Sequence, residues 1–165
     1  MTSSVSRYEL LAQLSHKIAT SSDLSTLLAE VVTHLSQSLL PGSSCVIFLA
    51  DGGEATLTLA AASDSGAPIF SLPINETSLV GQAAISGDTR LVNSPEETSR
   101  LHSAHHSITP QAEIVIPMVC HKQAVGVLQM QSEQPNRFTQ DEVALLQTVA
   151  SQIAIAIENS NLLGE

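Results

Sequence analysis

Apolar residues recur in the last third of the chain at alternating spacings of three and four, the period of one face of an α-helix. The residues that follow this period are Val143, Leu146, Ala150, Ile153 and Ile157. Leu145, Val149 and Ala156 form a second apolar stripe beside the first. A helix with two apolar stripes requires two partners, so we expect a sheet on one side and another helix on the other. That second helix belongs either to the same chain or to another subunit.

The start of this helix is marked by capping residues. Thr139 is a good N-cap, and the carboxylate of Glu142 stands where it can reach back to the N–H of the cap. Phe138 before the cap and Val143 after it are placed to form a hydrophobic staple. The pattern therefore predicts that the long helix begins within residues 138–142.

Runs of β-branched and large apolar residues predict strands of an antiparallel sheet. The runs span residues 44–50, 54–61, 90–93, 113–119 and 124–131. The first is expected to be central and covered on both faces, because it is continuously apolar. The last two are separated by Cys120–Gln123, which predicts a hairpin of about four loop residues. Residues 62–73, rich in Ser, Gly and Pro, are expected to be mostly loop.

The N-terminal part predicts two amphipathic helices. The first carries its apolar stripe at Leu10, Leu11, Leu14 and Ile18. The second runs from Leu24 to Leu39 and is ended by Pro41-Gly42. A shorter helix from Ser78 to Ser86 is closed by Gly87. We expect the two N-terminal helices to lie together with the long C-terminal helix against one face of the sheet.

Charge narrows the range of partners. Lys and Arg number 6 against 16 Asp and Glu, which gives a formal net charge of −10. Such acidity argues against nucleic acid and against an anionic membrane surface, since both are bound through basic side chains. The uncharged run 143–157 is too short to span a bilayer, and the N-terminus lacks the pattern of a signal peptide. Because Cys45 and Cys120 give no disulfide framework, a cytoplasmic location is expected.

The order of these motifs resembles the GAF domain, a sensory and regulatory domain of signalling proteins. The segments that carry the resemblance are 78–84, 90–93, 114–118, 124–128, 138–142 and 150–154. The resemblance implies an α+β fold with a central antiparallel sheet of five to six strands. The N- and C-terminal helices would bundle on one face, with short helices and loops over a pocket on the other.

The resemblance also implies how the chain is divided and how it signals. Residues 1–165 would form one domain, with a helical extension at 1–20 and a core at 21–162 that ends in a signalling helix. A homodimer would form through the terminal helices and act on an effector domain or another signalling partner, as in two-component systems. The residues expected at this interface are Leu11, Leu14, Ile18, Leu145, Val149 and Ala156. The chain would be an excised domain or a small stand-alone one.

A small-molecule pocket is implied between the sheet and residues 62–112. The residues expected to bind the ligand are Phe48, Arg90, Leu91, His102, His105, His106 and Ile114. Within this region residues 94–112 lack any sustained periodicity, which indicates a functional loop. The spacing of the three histidines suits a divalent metal or an axial haem ligand, although a polar, pocket-lining role is simpler. The ligand and any cofactor are left unidentified.

Two further likenesses to parts of the family are incomplete. Residues 136–142 resemble the signature of cyclic-nucleotide-binding GAF domains, but Arg137 replaces a lysine and the spacing is shorter. The capping residues account for the same positions without a ligand. Cys120-His121 is similar to the pair that attaches a bilin, but it lies in the hairpin instead of the variable segment before it. We expect Cys120 to be an exposed thiol of the turn.

The family also contains enzymes, the free-methionine-sulfoxide reductases, which need redox cysteines that face the pocket. Cys45 lies at the start of a central strand and is more simply a small core residue. The chain lacks a Gly-rich phosphate loop and a Gly-x-Ser-x-Gly elbow as well. We therefore expect a regulatory domain and no enzyme. The alternatives left open are a dimerisation scaffold without a ligand, an enzyme of the methionine-sulfoxide type, a haem or metal sensor, and a cyclic-nucleotide sensor.

Overall fold

The structure, a computed structural model, describes residues 4–20, 23–51, 55–63, 71–93 and 111–162. Within these ranges the helices are α1 (Ser4–Thr20), α2 (Leu24–His34), α3 (Leu79–Ser86) and α4 (Gln140–Leu162), and a π-helical segment (Leu35–Leu39) extends α2. The strands are β1 (Ser43–Asp51), β2 (Thr56–Ala62), β3 (Ser71–Pro73), β4 (Arg90–Val92), β5 (Ala112–Cys120) and β6 (Gln123–Ser132). Among the helices of the described residues, none combines the length and the apolar character that a membrane span requires.

The strands form a 6-stranded antiparallel sheet in the order β3-β2-β1-β6-β5-β4. The predicted α+β architecture is confirmed, and β1 lies in the interior of the sheet as expected. Strand β3 was not predicted, because residues 62–73 were expected to be mostly loop. It pairs with β2, with Leu57 opposite Leu72, and three residues are too few to show a strand period.

Alternating side chains divide the sheet into two faces, since successive residues of a strand point to opposite sides. Cys45, Ile47 and Ile114 point to one face and pack in a core with α1, α2 and α4. We call this side the helix face. Phe48 and Val115 point to the other side and pack in a separate core with α3. Two apolar cores therefore lie on the two sides of one sheet.

Both apolar stripes of α4 pack against elements of the same chain. Leu146, Val149 and Ile153 are fully buried in the core of the helix face. Helix α1 is the partner on the other side, where Ser15 Oγ donates to Gln152 Oε1 across 2.9 Å. The second helix that α4 requires therefore belongs to the same chain.

This packing contradicts the expectation for half of the residues predicted at a dimer interface. Leu14, Ile18 and Val149 are buried in the core of their own chain, so they are not available to a second copy. The other three residues expected at the interface are only partly buried at the border of this core. They are Leu11, Leu145 and Ala156.

The start of α4 has the predicted capping box. The Thr139 N–H donates to Glu142 Oε1 across 2.9 Å, and the Glu142 N–H donates to Thr139 Oγ1 across 3.3 Å. Arg137 Nη1 pairs with Glu142 Oε2 at 2.9 Å, and Phe138 is buried in the core of the helix face. Four residues of the segment that resembles a cyclic-nucleotide signature thus make contacts that begin the helix.

The β5–β6 hairpin is tighter than predicted. Cys120 pairs with Gln123, so the loop has only the two residues His121 and Lys122 instead of about four. Their φ angles of 52° and 67° are both positive, as a type I′ turn requires. Cys120 lies at the end of β5, half-buried against the core of the helix face. The expectation of an exposed turn thiol is therefore wrong.

Candidate functional site

The face of the sheet opposite the terminal helices carries the candidate site. We call it the pocket face and define it by Phe48 of β1, Val92 of β4, Val115 of β5 and Val127 of β6, which share one core. Helix α3 covers part of this face with Leu79, Val80 and Ala83. The pocket face is thus mostly apolar, like the wall of a small-molecule site.

Helix α3 is held in place at both of its ends. The Oγ of Ser78 accepts from the Gly81 N–H across 3.0 Å at the start of the helix. At its end Gly87 has a φ of 73° and donates its N–H to the Ala83 carbonyl. Such left-handed caps favour glycine, as the sequence predicts. Helix α3 therefore has a capped N-terminus and a capped C-terminus where it packs on this part of the pocket face.

Three polar side chains are buried together on the pocket face. Glu113 of β5 is 2% exposed, while Gln129 and Gln131 of β6 are 5% and 7% exposed. Glu113 lies opposite Gln131 in the register of the two strands, so both side chains point to the same face. The Gln131 Nε2 donates to Glu113 Oε2 across 2.9 Å, and the Gln129 Nε2 donates to the same oxygen.

The second oxygen of the Glu113 carboxyl group, Oε1, is buried and has no hydrogen-bond partner among the described residues. A buried polar atom without a partner costs about 1–3 kcal/mol, and native proteins rarely keep one without a reason. Burial raises the pKa of Glu113, while the hydrogen bonds from Gln131 and Gln129 act in the opposite direction. Glu113 is therefore an acceptor, or when protonated a donor, that is buried on the mostly apolar pocket face.

A second such atom lies near this cluster in the strand register. Val92 is opposite Glu113, and Asn93 follows it directly at the end of β4. The Asn93 Oδ1 is buried and has no hydrogen-bond partner in the described part of the chain. Asn93 is thus a second residue of the described chain that keeps an unsatisfied buried acceptor.

The structure separates the residues expected to bind a ligand. Phe48 is buried in the pocket face, and Arg90 points to the same face from the edge strand, where it is exposed. Leu91 and Ile114 belong to the helix face instead, so the expectation that they line the pocket is wrong. Strand β5 is buried on both faces and β4 has only three residues, so neither shows an alternation that could have assigned its sides. His102, His105 and His106 lie outside the described residues.

Glu113, Gln129 and Gln131 were not among the residues expected to bind a ligand. Each was treated only as part of a strand. A signal was present, because the two glutamines are polar residues two positions apart within an otherwise apolar run. In a strand that spacing places both on one face. Their grouping with Glu113, however, depends on the pairing of β5 with β6.

Both thiols of the chain lie off the pocket face. Cys45 is fully buried in the core of the helix face, and burial raises the pKa of its thiol far above the usual range. Cys120 packs against the same core at the far end of β5. A reaction on the pocket face would therefore not use either sulfur. Elsewhere in the described residues, no three His, Cys, Asp or Glu side chains come together as a metal site would require.

Replacing Glu113 by glutamine is expected to stabilise the protein, and more at pH 8 than at pH 5. The unfolded carboxyl group has its ordinary pKa of 4.5, and burial raises the pKa in the folded protein. Wild-type stability should therefore fall as the pH rises from about 4.5 through the folded-state pKa. The amide carries no charge to desolvate, so the gain at pH 8 should be about 1–3 kcal/mol by urea unfolding.

The control for this substitution is Glu133→Gln, which removes the same charge from an exposed position just after β6. Its effect should stay within about 0.5 kcal/mol at both pH values. If Glu113→Gln had the same free energy of unfolding as the wild type at both pH values, burial of the Glu113 carboxyl group would not destabilise the protein.

Solved structures with the same fold have varied activities. The GAF domain of an Acinetobacter phosphoenolpyruvate-protein phosphotransferase has a TM-score of 0.84 at 20% identity, covering 99% of each chain. A Neisseria meningitidis free methionine-R-sulfoxide reductase, solved with its substrate, has a TM-score of 0.84 at 23% identity, covering 99% of this chain and 97% of that one. Residues 122 to 287 of a methyl-accepting chemotaxis protein have a TM-score of 0.76 at 21% identity, covering 92% and 98%.

The reductases correct one expectation drawn from the sequence. The chain was expected not to be an enzyme, yet free methionine-R-sulfoxide reductases are among the structures that share its fold. The fold therefore gives no support to the exclusion of an activity, and the expectation is withdrawn. At these identities the likeness shows the fold alone.

Sequence comparison assigns the family more directly. No curated protein matches the chain. A family model for the GAF domain, however, matches residues 21–158, which include every strand of the sheet and most of α4. The likeness of the whole described fold to solved GAF domains agrees with this match. The chain therefore belongs to the GAF domain family.

Proposed function

We propose that this GAF domain is a regulatory module that binds a small molecule on its pocket face. The ligand would lie between that face and the 62–112 segment, whose described part includes α3 and β4. Binding would then alter the packing of the terminal helices and of a second copy against them. GAF domains form a general sensory and regulatory fold, and one similar structure comes from a chemotaxis protein.

The observation that carries this proposal is the buried Glu113 carboxyl group with its unsatisfied Oε1. The fold itself gains nothing from the arrangement, because an apolar residue at this position would avoid the desolvation of an acid. Two glutamines nevertheless support the other oxygen, so the carboxyl group is held in one orientation. A costly group that is fixed in place on an apolar face is typical of a binding site.

A thermal-shift screen tests this function. The compounds should include free amino acids, methionine sulfoxide, cyclic nucleotides and small amines. A ligand present at 100 times its Kd adds about 2.7 kcal/mol to the free energy of unfolding, which raises the melting temperature. Glu113→Gln should weaken the response and Glu133→Gln should preserve it. A turnover assay with the same compounds distinguishes a bound effector from a substrate.

Two outcomes would contradict ligand binding. One is a screen in which no compound raises the melting temperature, which favours a dimerisation scaffold. The other is a ligand whose affinity is the same for the wild type and for Glu113→Gln, because that ligand would bind elsewhere.

For the dimer we propose an interface along the outer side of α4. Ile155 is 58% exposed there, and Leu145 and Ala156 of the same helix are only partly buried. Leu11 of α1 is likewise partly buried at the border of this core. A large apolar side chain exposed beside half-buried ones is a suitable centre for contact with a second copy.

Replacing Ile155 by glutamate is expected to shift a dimer towards monomer by at least tenfold in Kd, because two like charges would meet at the two-fold contact. Light scattering over a range of concentrations measures this. Ile85→Glu is a matched control, since Ile85 is 54% exposed on a helix at the other side of the sheet. A wild type that stays monomeric, or equal dimerisation of both variants, would contradict the interface.

A further inference from the structure

We propose that the ligand of the pocket face carries one protonated nitrogen, as in a primary ammonium or an amidinium group, and that this nitrogen donates to Glu113 Oε1. This deepens the proposed function and rests on it, because it names the chemical class of the molecule that the pocket face takes.

The hydrogen bonds already made by Glu113 favour a ligand that donates a hydrogen bond. Glu113 Oε2 already accepts from the amides of Gln129 and Gln131, whereas Oε1 is buried and accepts nothing among the described residues. When Glu113 is ionised, a ligand that satisfies Oε1 must supply an N–H or O–H group, and an ammonium group supplies three.

The charges around Glu113 favour a ligand that carries a single positive charge. The residues of β6 that support Glu113 are neutral amides, and α3 has no charged side chain. On β1, the pocket-face residues near Phe48 are uncharged as well. Arg90 of β4 points to the same face but lies opposite Val115 at the exposed edge, and Glu76 before α3 is exposed.

Among the described residues, therefore, one carboxylate stands on this face without a basic partner. A monocation would balance its charge, whereas a divalent metal ion would require more oxygen ligands than one carboxylate offers. An anionic ligand would bind only the protonated carboxyl group, so its affinity would fall as the pH rises. A neutral donor would leave the carboxylate charge uncompensated in an apolar site.

The release of a proton on binding predicts that the affinity for a cation depends on pH. Burial raises the pKa of Glu113, so the free protein holds a proton there at pH values where an exposed glutamate is ionised. A cationic ligand favours the carboxylate, so this proton leaves for the solvent when the ligand binds. A primary amine stays protonated up to a pKa of about 10. Affinity should therefore rise up to tenfold per pH unit below the folded-state pKa of Glu113, and then level off.

The experiment uses benzylamine, benzamidine, benzyl alcohol and benzoate as probes of similar size and different charge. Each is titrated into the full 165-residue chain, labelled with 15N, at pH 4.5, where the raised pKa keeps Glu113 mostly protonated, and at pH 7.5. We expect the two cations to shift the amide signals of β5 and β6 at lower concentration than the alcohol and benzoate do. Their affinity should be higher at pH 7.5, fall at least tenfold in Glu113→Gln and stay unchanged in Glu133→Gln.

The outcomes separate this inference from the proposed function. Tighter binding of benzoate or benzyl alcohol on the pocket face would overturn the cation class and leave the pocket in place. Cation affinity that is independent of pH and of Glu113→Gln would overturn it too. If no probe and no compound of the wider screen shifted signals of the pocket face, both would fail. The pH comparison uses the wild type alone, so it does not depend on the folding of a variant.

Discussion

Replacing Ile153 by glutamate is expected to prevent the chain from folding. Ile153 is 0% exposed and packs in the core between α4 and the sheet. The substitution removes a buried aliphatic side chain, which costs about 2–5 kcal/mol, and buries an unpaired charge, which costs about 3–5 kcal/mol more. This sum approaches the whole stability of a typical domain, about 5–15 kcal/mol. Circular dichroism and urea unfolding should show an unfolded or barely folded chain.

Ile155→Glu is the control for this substitution. Ile155 lies two positions further along the same helix and is 58% exposed. The change of side chain is identical, and so is its effect on helix propensity, but no buried site receives the charge. We expect Ile155→Glu to keep the wild-type fold. Cooperative unfolding of Ile153→Glu near the wild-type midpoint would mean that α4 does not pack on the sheet as described.

Replacing Gly81 by alanine is expected to destabilise the protein by about 3 kcal/mol, although alanine is the better helix former. A Cβ at this position would lie 2.1 Å from the carbonyl oxygen of Asn75 and 3.0 Å from its nitrogen. Both are backbone atoms, and the turn is fixed by a hydrogen bond from the Thr77 N–H to Asn75 Oδ1. Helix α3 must therefore move away from the turn or from the pocket face.

Gly87→Ala is the control, because it replaces a glycine of the same helix by alanine without introducing a clash. Gly87 ends the same helix with a φ of +73°, and a Cβ there would meet nothing within 4 Å. Its replacement should cost about 1 kcal/mol through backbone strain alone. Urea unfolding should rank the wild type above Gly87→Ala and Gly87→Ala above Gly81→Ala. If Gly81→Ala were as stable as the wild type, the close contact between α3 and Asn75 would be refuted.

The elements with local signals were predicted from the sequence. The start of α4 depends on side chains within four residues of one another, Thr139 and Glu142 above all, so its capping box needs no knowledge of the fold. The elements that were missed lack such signals. Strand β3 is too short to show a period, and the two-residue hairpin loop has His121 and Lys122 at positive φ, where Asn and Gly are usual.

The candidate site could be predicted only in part, because its geometry depends on pairing between distant residues. All residues of β5 from Ala112 to Met118 are buried, so no polar alternation distinguishes its two faces. For this reason Ile114 was expected in the pocket, although its neighbour Glu113 points there. The contact of Glu113 with Gln131 spans 18 positions along the chain and appears only when β5 and β6 are paired.

The carboxyl 13C signal of Glu113 tests the central claim most directly. It can be assigned as the glutamate signal that is lost in Glu113→Gln, and followed while benzylamine is added at pH 4.5, below the raised pKa of this group. We predict that this signal moves towards the position of an ionised carboxylate and that the signal of Glu133 stays in place. If benzylamine bound and the Glu113 signal did not move, the ligand would not contact this carboxyl group and the account of the site would be wrong.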